Sequence, residues 1–416
     1  MYINAIRAKG SGADPYYSRI KQFGTVEMLD IAGGTIFLAP ITVGGQEFNV
    51  VIDTGSSDPW LVITEFDCFD PVSDIQIPEA DCFFGPLYDK LSSPTYSKLV
   101  DRSMNLSYAS GETLNGLMGR ETFTMADITV PSQEFGLVDY AAWNGDGVSS
   151  GLVGFAYRTL TSMYVGEVPK DAVPGRALKY NTLFDNMYRS NTTDPVFSMA
   201  LTRDPNYTGK GGLMSLGGIP NIPFGPTWIS TPIIPVGINR TSGEIEYQFY
   251  TISVDGFSIS ADPGAQFASA ADARRNPRKT PLKGPFDPSD PDSTRVNAIV
   301  DSGTSLVYIE DELALEVAEA FRPPGWKDEA TNLYTVPCGS TPPTFGVSVE
   351  GKVFNVHPDD MILQAGPDLC ISGVQENHDG LWILGDVWMK AVLCVFDVGS
   401  GWMRFAGRQY YGSSWD

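Results

Sequence analysis

Two distant stretches of the chain read almost alike: Val51-Ile52-Asp53-Thr54-Gly55-Ser56-Ser57 and Ile299-Val300-Asp301-Ser302-Gly303-Thr304-Ser305. In each, two apolar β-branched residues lead into Asp, hydroxyl, Gly, hydroxyl, Ser. A second echo follows each copy in the same order, as Leu152-Val153-Gly154 and then Ile383-Leu384-Gly385. Repeats of about 20–50 residues mark solenoids and propellers. These are far longer, so the repeat constrains the chain to two duplicated lobes.

The repeated unit has a direct physical reading. A buried β-branched strand delivers an aspartate to a tight turn. The glycine lets backbone come close to whatever occupies the turn, and the hydroxyls can hold the carboxylate and cross-link the two turns. If the lobes face each other, the two aspartates meet. Two carboxylates about 3 Å apart cannot both ionise, so they share one proton. One then serves as base on a water while the other serves as acid towards a carbonyl. A lone Asp-hydroxyl-Gly turn is unremarkable; two copies with the same lead-in are not.

Composition narrows the chemistry further. Lys and Arg number 28 against 50 Asp and Glu, a net charge of −22, which repels phosphate backbones and anionic lipid. The two histidines, His357 and His378, leave little room for a multi-histidine metal site. No CxxC pair occurs among Cys68, Cys82, Cys338, Cys370 and Cys394. Acid–base work therefore falls to carboxylates, with neither metal nor cofactor. Cys394, in the apolar run 391–396, reads as a buried free thiol. Four sequons, at Asn105, Asn191, Asn206 and Asn239, together with two cysteine pairs close in sequence, favour a secretory route. If oxidised, Cys68–Cys82 and Cys338–Cys370 would contribute about 3 and about 4 kcal/mol.

Secondary-structure signals are mainly β. Strand-like runs include 35–39, 48–52, 122–125, 247–254 and 382–384, with turn signals at Gly44-Gly45 and Asp255-Gly256. Helical periodicity is confined to 311–321, with Leu313, Leu315, Val317 and Ala318 on one side, and to 183–188. The stretch 262–295, rich in Pro, Asp and Ser and carrying Arg274, Arg275, Arg278 and Lys279, reads as a surface insertion.

On these residues the chain resembles the bilobal pepsin-like aspartic proteases, of the secreted fungal type or similar, from about Thr35 to Ala406. The resemblance implies a mainly β, bilobal fold with a cleft between related lobes. It implies an N-terminal segment over 1–30, a pro-segment remnant or the approach to the first strand. The N-terminal lobe would follow over 31–215 and the C-terminal lobe over 216–416. Asp53 and Asp301 would form the catalytic dyad, supported by Thr54, Gly55, Ser56, Ser302, Gly303 and Thr304. Trp60 would hydrogen-bond a flap tyrosine, Tyr108, while Ser110 and Gly111 would meet the substrate backbone. Phe135, or Leu137, would line an apolar pocket. Cys68–Cys82 and Cys338–Cys370 would be the lobe disulfides.

The activity implied is endopeptidase cleavage at roughly pH 3–5.5. Peptide would be bound extended, with apolar or aromatic residues around the scissile bond. The resemblance also implies inhibition by pepstatin-type compounds, a monomer, and a secreted, vacuolar or lysosomal location; no signal peptide or transmembrane run is visible. Two departures stand out: Ala109 follows the flap tyrosine where Gly is usual, and Glu112 stands where Ser or Thr is common. A tip requiring positive φ would disfavour Ala109. That is the one feature favouring the alternative, a catalytically silent pepsin-like binding or inhibitor protein. Asp386 reads as an ordinary turn carboxylate.

Overall fold

The structure is a computed structural model. It describes residues 24–173, 175–204, 209–239, 243–262, 265, 295–377 and 380–408. The possible pro-segment remnant Met1–Gln22, the Asn206 sequon, His378 and nearly all of the 262–295 insertion lie outside them.

The first copy of the repeat sits at the end of a hairpin. Strand Ile36–Val43 turns through Gly44 and Gly45 into Gln46–Asp53, with Val43 opposite Gln46. Both glycines have positive φ, the requirement of a two-residue hairpin turn that follows the strand twist. Phe48, Val50 and Ile52 are buried with outward residues between them, the period of two expected of a half-covered strand. Alongside its end runs Gly151–Gly154 in parallel, so that Asp53 lies beside Gly154. The second copy repeats this construction. Val296–Val300 runs parallel to Trp382–Leu384, with Val300 beside Leu384 and Gly385 next in chain. Each sequence echo is therefore the parallel neighbour of its aspartate strand.

A shared sheet joins the halves. Its strands run in the order Ile36–Val43, Gly24–Ile31, Lys210–Leu216, Phe197–Leu201, Val392–Asp397, Trp402–Arg408 and Phe224–Pro232. At its centre Phe197 faces Phe396 directly across antiparallel strands. Their rings stack at 4.4 Å and 6°, flanked by Phe155, Phe184 and Tyr250. Aromatic pairs of this kind add about 0.5–1.5 kcal/mol beyond burial. The N-terminal half also carries a long antiparallel trio, Ser97–Ser107, Thr113–Met125 and Ile128–Ala142.

Two local expectations change. The strand expected over 247–254 begins at Thr251. The residues before it serve the aromatic joint instead: Tyr247 stacks on Tyr157 at 5.0 Å, and the Tyr250 hydroxyl donates to the Phe155 carbonyl at 2.6 Å. The helix Asp311–Ala320 buries Leu313, Ala314, Val317 and Ala318, but Leu315 is 43% exposed, because position 314 holds the inner face. The second helix, Leu183–Arg189, begins with a capping box in which Thr182 and Asp185 satisfy each other's backbone N–H. Both disulfides are formed, with Cα–Cα separations of 5.9 Å for Cys68–Cys82 and 5.1 Å for Cys338–Cys370, and Cys394 is a buried free thiol.

Removing one ring from the shared sheet leaves a cavity between the halves. Phe197→Ala should lower unfolding free energy by about 3–5 kcal/mol, read by urea titration, and Leu315→Ala by no more than about 0.5 kcal/mol.

Candidate active site

The two repeated turns lie against each other and are bonded in a near-symmetric cross. The Thr54 N–H donates to Ser302 Oγ at 3.2 Å, and the Ser302 N–H donates to Thr54 Oγ1 at 2.9 Å. Each hydroxyl passes its own proton on to the opposite strand, Thr54 to the Val300 carbonyl at 3.0 Å and Ser302 to the Ile52 carbonyl at 2.7 Å. Thr54 is fully buried and Ser302 nearly so.

This cross brings the carboxylates together. A Cβ added at Gly55 would lie 2.6 Å from the Asp301 carboxyl, and one at Gly303 would lie 2.3 Å from Asp53 Oδ1. Each turn glycine is thus the floor on which the other turn's carboxylate rests, and no larger residue fits there. Each aspartate also receives two donors from its own turn. Asp53 accepts from the Gly55 N–H at 2.7 Å and from the Ser56 hydroxyl; Asp301 accepts from the Gly303 N–H at 2.8 Å and from the Thr304 hydroxyl at 2.6 Å. Burial first, and then the Asp301 charge, push Asp53 well above the usual carboxylate range, against the pull of Ser56 and Gly55.

Over the site stands the hairpin between Ser97–Ser107 and Thr113–Met125. Tyr108 closes its turn, donating its N–H to the Glu112 carbonyl at 2.9 Å, and its carbonyl accepts from the Gly111 N–H at 3.0 Å. The Tyr108 phenol oxygen accepts from Trp60 Nε1 at 2.8 Å, and its ring meets Trp143 edge-on at 5.7 Å. Burial and the neighbouring Asp53 charge hold that phenol well above its ordinary pKa. Gly111 takes the positive φ of the tip, +92°, and Ala109 is not among the non-glycine residues with positive φ. The conformational objection to Ala109 disappears, and with it the feature that favoured a silent binding protein. Ser110 is exposed and its hydroxyl donates to Glu112 at 2.8 Å.

Phe135 requires a correction. It is fully buried among the core aromatics, 5.6 Å from Tyr88 and 5.4 Å from Phe123, and Leu137 packs in the same core. The aromatic wall beside the hairpin is formed by Trp60, Phe84 and Trp143. Trp143 carried no motif, and only its place at the end of a strand running beside the hairpin reveals it. Asp386 is likewise no ordinary turn carboxylate. It is buried behind the site, four positions before Lys390, and burial pushes its carboxyl well up despite that lysine. Lys390 is itself buried, forms an ion pair with Asp360 at 3.1 Å and donates to the Gly34 carbonyl at 2.8 Å. The spacing of four could have flagged this pair.

Of the sequons, Asn191 is exposed in a turn. The Asn105 side-chain amide donates to the Pro169 carbonyl at 3.1 Å, and that of Asn239 to Glu246 at 3.1 Å. No group of His, Cys, Asp or Glu is arranged to hold a metal ion among the described residues.

Asp58, which stands two residues before Trp60, is a further buried carboxylate. It accepts from the Ser162 N–H at 2.9 and 3.0 Å and from the Tyr180 hydroxyl at 2.5 Å. Burial outweighs these donors and pushes it up to about 6 from 3.8. A raised folded value means that the folded state holds the proton more tightly. The associated stability is complete below about pH 3.8 and is lost as pH rises through about 6. Its size is about 2–3 kcal/mol. Asp58→Asn keeps one acceptor for Ser162 and removes the charge. It should match the parent at pH 4 and exceed it by about 2–3 kcal/mol at pH 7.5, measured by denaturant unfolding at both values.

The comparisons with known proteins agree with this geometry. The family model "Eukaryotic aspartyl protease" matches residues 36–272 and 287–408. The Aspergillus fumigatus protein named "Probable aspartic-type endopeptidase" is 35% identical over 92% of this chain and 81% of its own length. Rhizopuspepsin-4 of Rhizopus niveus is 25% identical over 90% of this chain and 78% of its own, and gastricsin of Oryctolagus cuniculus 28% over 92% and 84%. With its bilobal pepsin-like fold, the chain belongs to the eukaryotic aspartyl protease family and is an aspartic endopeptidase.

Proposed function

We propose that Asp53 and Asp301 are the catalytic dyad and that they hydrolyse peptide bonds in acid without a covalent intermediate. The observation carrying this reading is the reciprocal packing of each turn glycine against the other turn's carboxylate. In the active form the pair holds one proton. The ionised carboxylate takes a proton from a water molecule, whose oxygen attacks the peptide carbonyl carbon. The protonated partner gives its proton to the carbonyl oxygen. Collapse of the resulting diol returns one proton to the dyad, passes another to the leaving nitrogen and breaks the C–N bond. Ser56, Thr304 and the two glycine N–H groups hold the carboxyls in place for both transfers.

The substrate reading follows from the surroundings. An extended peptide would lie between the lobes under Tyr108, with apolar or aromatic side chains preferred around the scissile bond, facing the Trp60, Phe84 and Trp143 wall. The lobes would comprise 31–215 and 216–416, continuous through the shared sheet. A secreted or vacuolar setting is part of the same proposal and accords with the two disulfides. No helix among the described residues is long and apolar enough to cross a membrane.

The test is digestion of an acid-denatured protein at about pH 4, with and without pepstatin, beside Asp53→Asn and Asp301→Asn. Pepstatin should abolish cleavage, and each substitution should reduce it at least about 10³-fold with circular dichroism unchanged. Retained cleavage in either variant would refute the dyad. The rate should be highest in roughly pH 3–5.5 and fall towards neutrality as the shared proton is lost; an optimum above neutrality would contradict the mechanism. In a glycosylating host, tryptic mass mapping should find sugar at Asn191 and not at Asn105, whose amide is engaged.

A further inference from the structure

We infer that Glu112 is a positioning residue: its carboxylate fastens the hairpin tip to the strand end at Trp143–Asn144 and so holds Tyr108 over the dyad before substrate arrives. The backbone ladder between Thr113–Met125 and Ile128–Ala142 ends with the pair Thr113 and Ala142. Beyond that pair, Glu112 Oε1 accepts from the N–H of Asn144, two residues past Ala142, at 3.1 Å, so a side chain continues the contact where the backbone ladder has ended. Its other oxygen, Oε2, accepts from the Ser110 hydroxyl at 2.8 Å inside the tip, and its carbonyl accepts from the Tyr108 N–H at 2.9 Å. One residue thus binds the two sides of the tip to each other and both to the neighbouring strand.

A serine or threonine at this position has a single short hydroxyl and could not serve both donors; two oxygens on a longer stem can. The fastening matters because Ala109, Ser110 and Gly111 are exposed and, among the described residues, a Cβ at Gly111 would meet nothing within 4 Å. It also matters because of what is fastened. Asn144 adjoins Trp143, whose ring touches both Tyr108 at 5.7 Å and Trp60 at 5.5 Å. Tyr108 is therefore held from two sides, by Trp60 at its phenol and by Glu112 at its backbone. A hairpin ordered in advance leaves less ordering to be done on binding, which lowers KM while the chemical step stays the same.

The inference rests on the proposed role of Tyr108 as a flap residue, and its test separates the two. Glu112→Ala and Glu112→Gln would be compared with the parent by hydrogen exchange over 106–114 and 142–146. Steady-state cleavage would use a chromogenic oligopeptide with apolar residues at the scissile bond. Glu112→Ala should speed exchange about tenfold in both segments and raise KM by a similar factor, as expected for the loss of one hydrogen bond. Its kcat should stay within about twofold and its melting temperature unchanged. Glu112→Gln, which keeps one acceptor oxygen, should fall between. Unchanged exchange at 142–146, exchange rising across the whole lobe with a lower melting temperature, or faster local exchange with KM unmoved would each overturn the inference. If the parent cleaves no peptide, the dyad reading has failed, and the exchange comparison alone decides the tether.

Discussion

The reciprocal bonding of Thr54 and Ser302 is the constraint on which the rest of the molecule depends. Each backbone N–H in the pair is buried and would cost about 1–3 kcal/mol if left unpaired. Its partner is a hydroxyl in the opposite half of the chain, so neither turn is satisfied alone. The halves must therefore meet in one register. In that register Gly55 lies under Asp301 and Gly303 under Asp53. The shared sheet with its Phe197–Phe396 stack supplies the apolar area that makes this register favourable. The hydroxyls add little net energy but make every other alignment expensive.

That arrangement concentrates buried carboxylates, and the consequence reaches beyond the dyad. Asp30, Asp53, Asp58 and Asp386 are all raised, each with burial as the leading cause. Asp30 is raised although it accepts from the Gly34 N–H at 2.6 Å and the Asp204 N–H at 2.7 Å, and although Lys390 lies near. Groups of this kind favour the folded state below their unfolded values and oppose it as pH rises through their folded ones. The surface charge of −22 acts in the same direction, since protonation relieves its self-repulsion. One feature, buried carboxyls close together, thus underlies the proposed chemistry and favours the folded scaffold at acidic pH.

The sequence was informative where a short local pattern implies a geometry. The Asp-hydroxyl-Gly turns, their apolar lead-ins and their parallel echoes at Gly154 and Gly385 could be read directly, because a buried strand and a tight turn leave few alternatives. The Gly44-Gly45 hairpin and the buried Cys394 were legible for the same reason. What could not be read was the side on which a long strand presents its residues after a register shift. The ladder between Thr113–Met125 and Ile128–Ala142 shifts twice, between Asn115 and Gly116 and between Glu121 and Phe123. A shift of one residue exchanges the faces of a strand. The alternation near Phe135 therefore did not reveal that it points into the core. Leu315 failed for a related reason: on a helix with one alanine-lined face, the larger residue need not be the inner one.

The duplication also explains why the two halves are not equivalent in use. Thr54 and Ser302, Gly55 and Gly303, and Ser56 and Thr304 are matched pairs, so the turns alone would give both carboxyls the same surroundings. The difference comes from what is laid over them. The long hairpin, Trp60 and Asp58 all belong to the first half and crowd the Asp53 side, and the Tyr108 phenol feels the Asp53 charge directly. The symmetric floor fixes where the carboxyls sit; in the proposed mechanism the asymmetric cover would govern how water and peptide reach them. Changes in the cover, such as Ala109 and Glu112, leave the cross of hydroxyls intact. They lie where the ladder has run out of backbone partners, so side chains there can alter how firmly the tip is held without disturbing the register beneath.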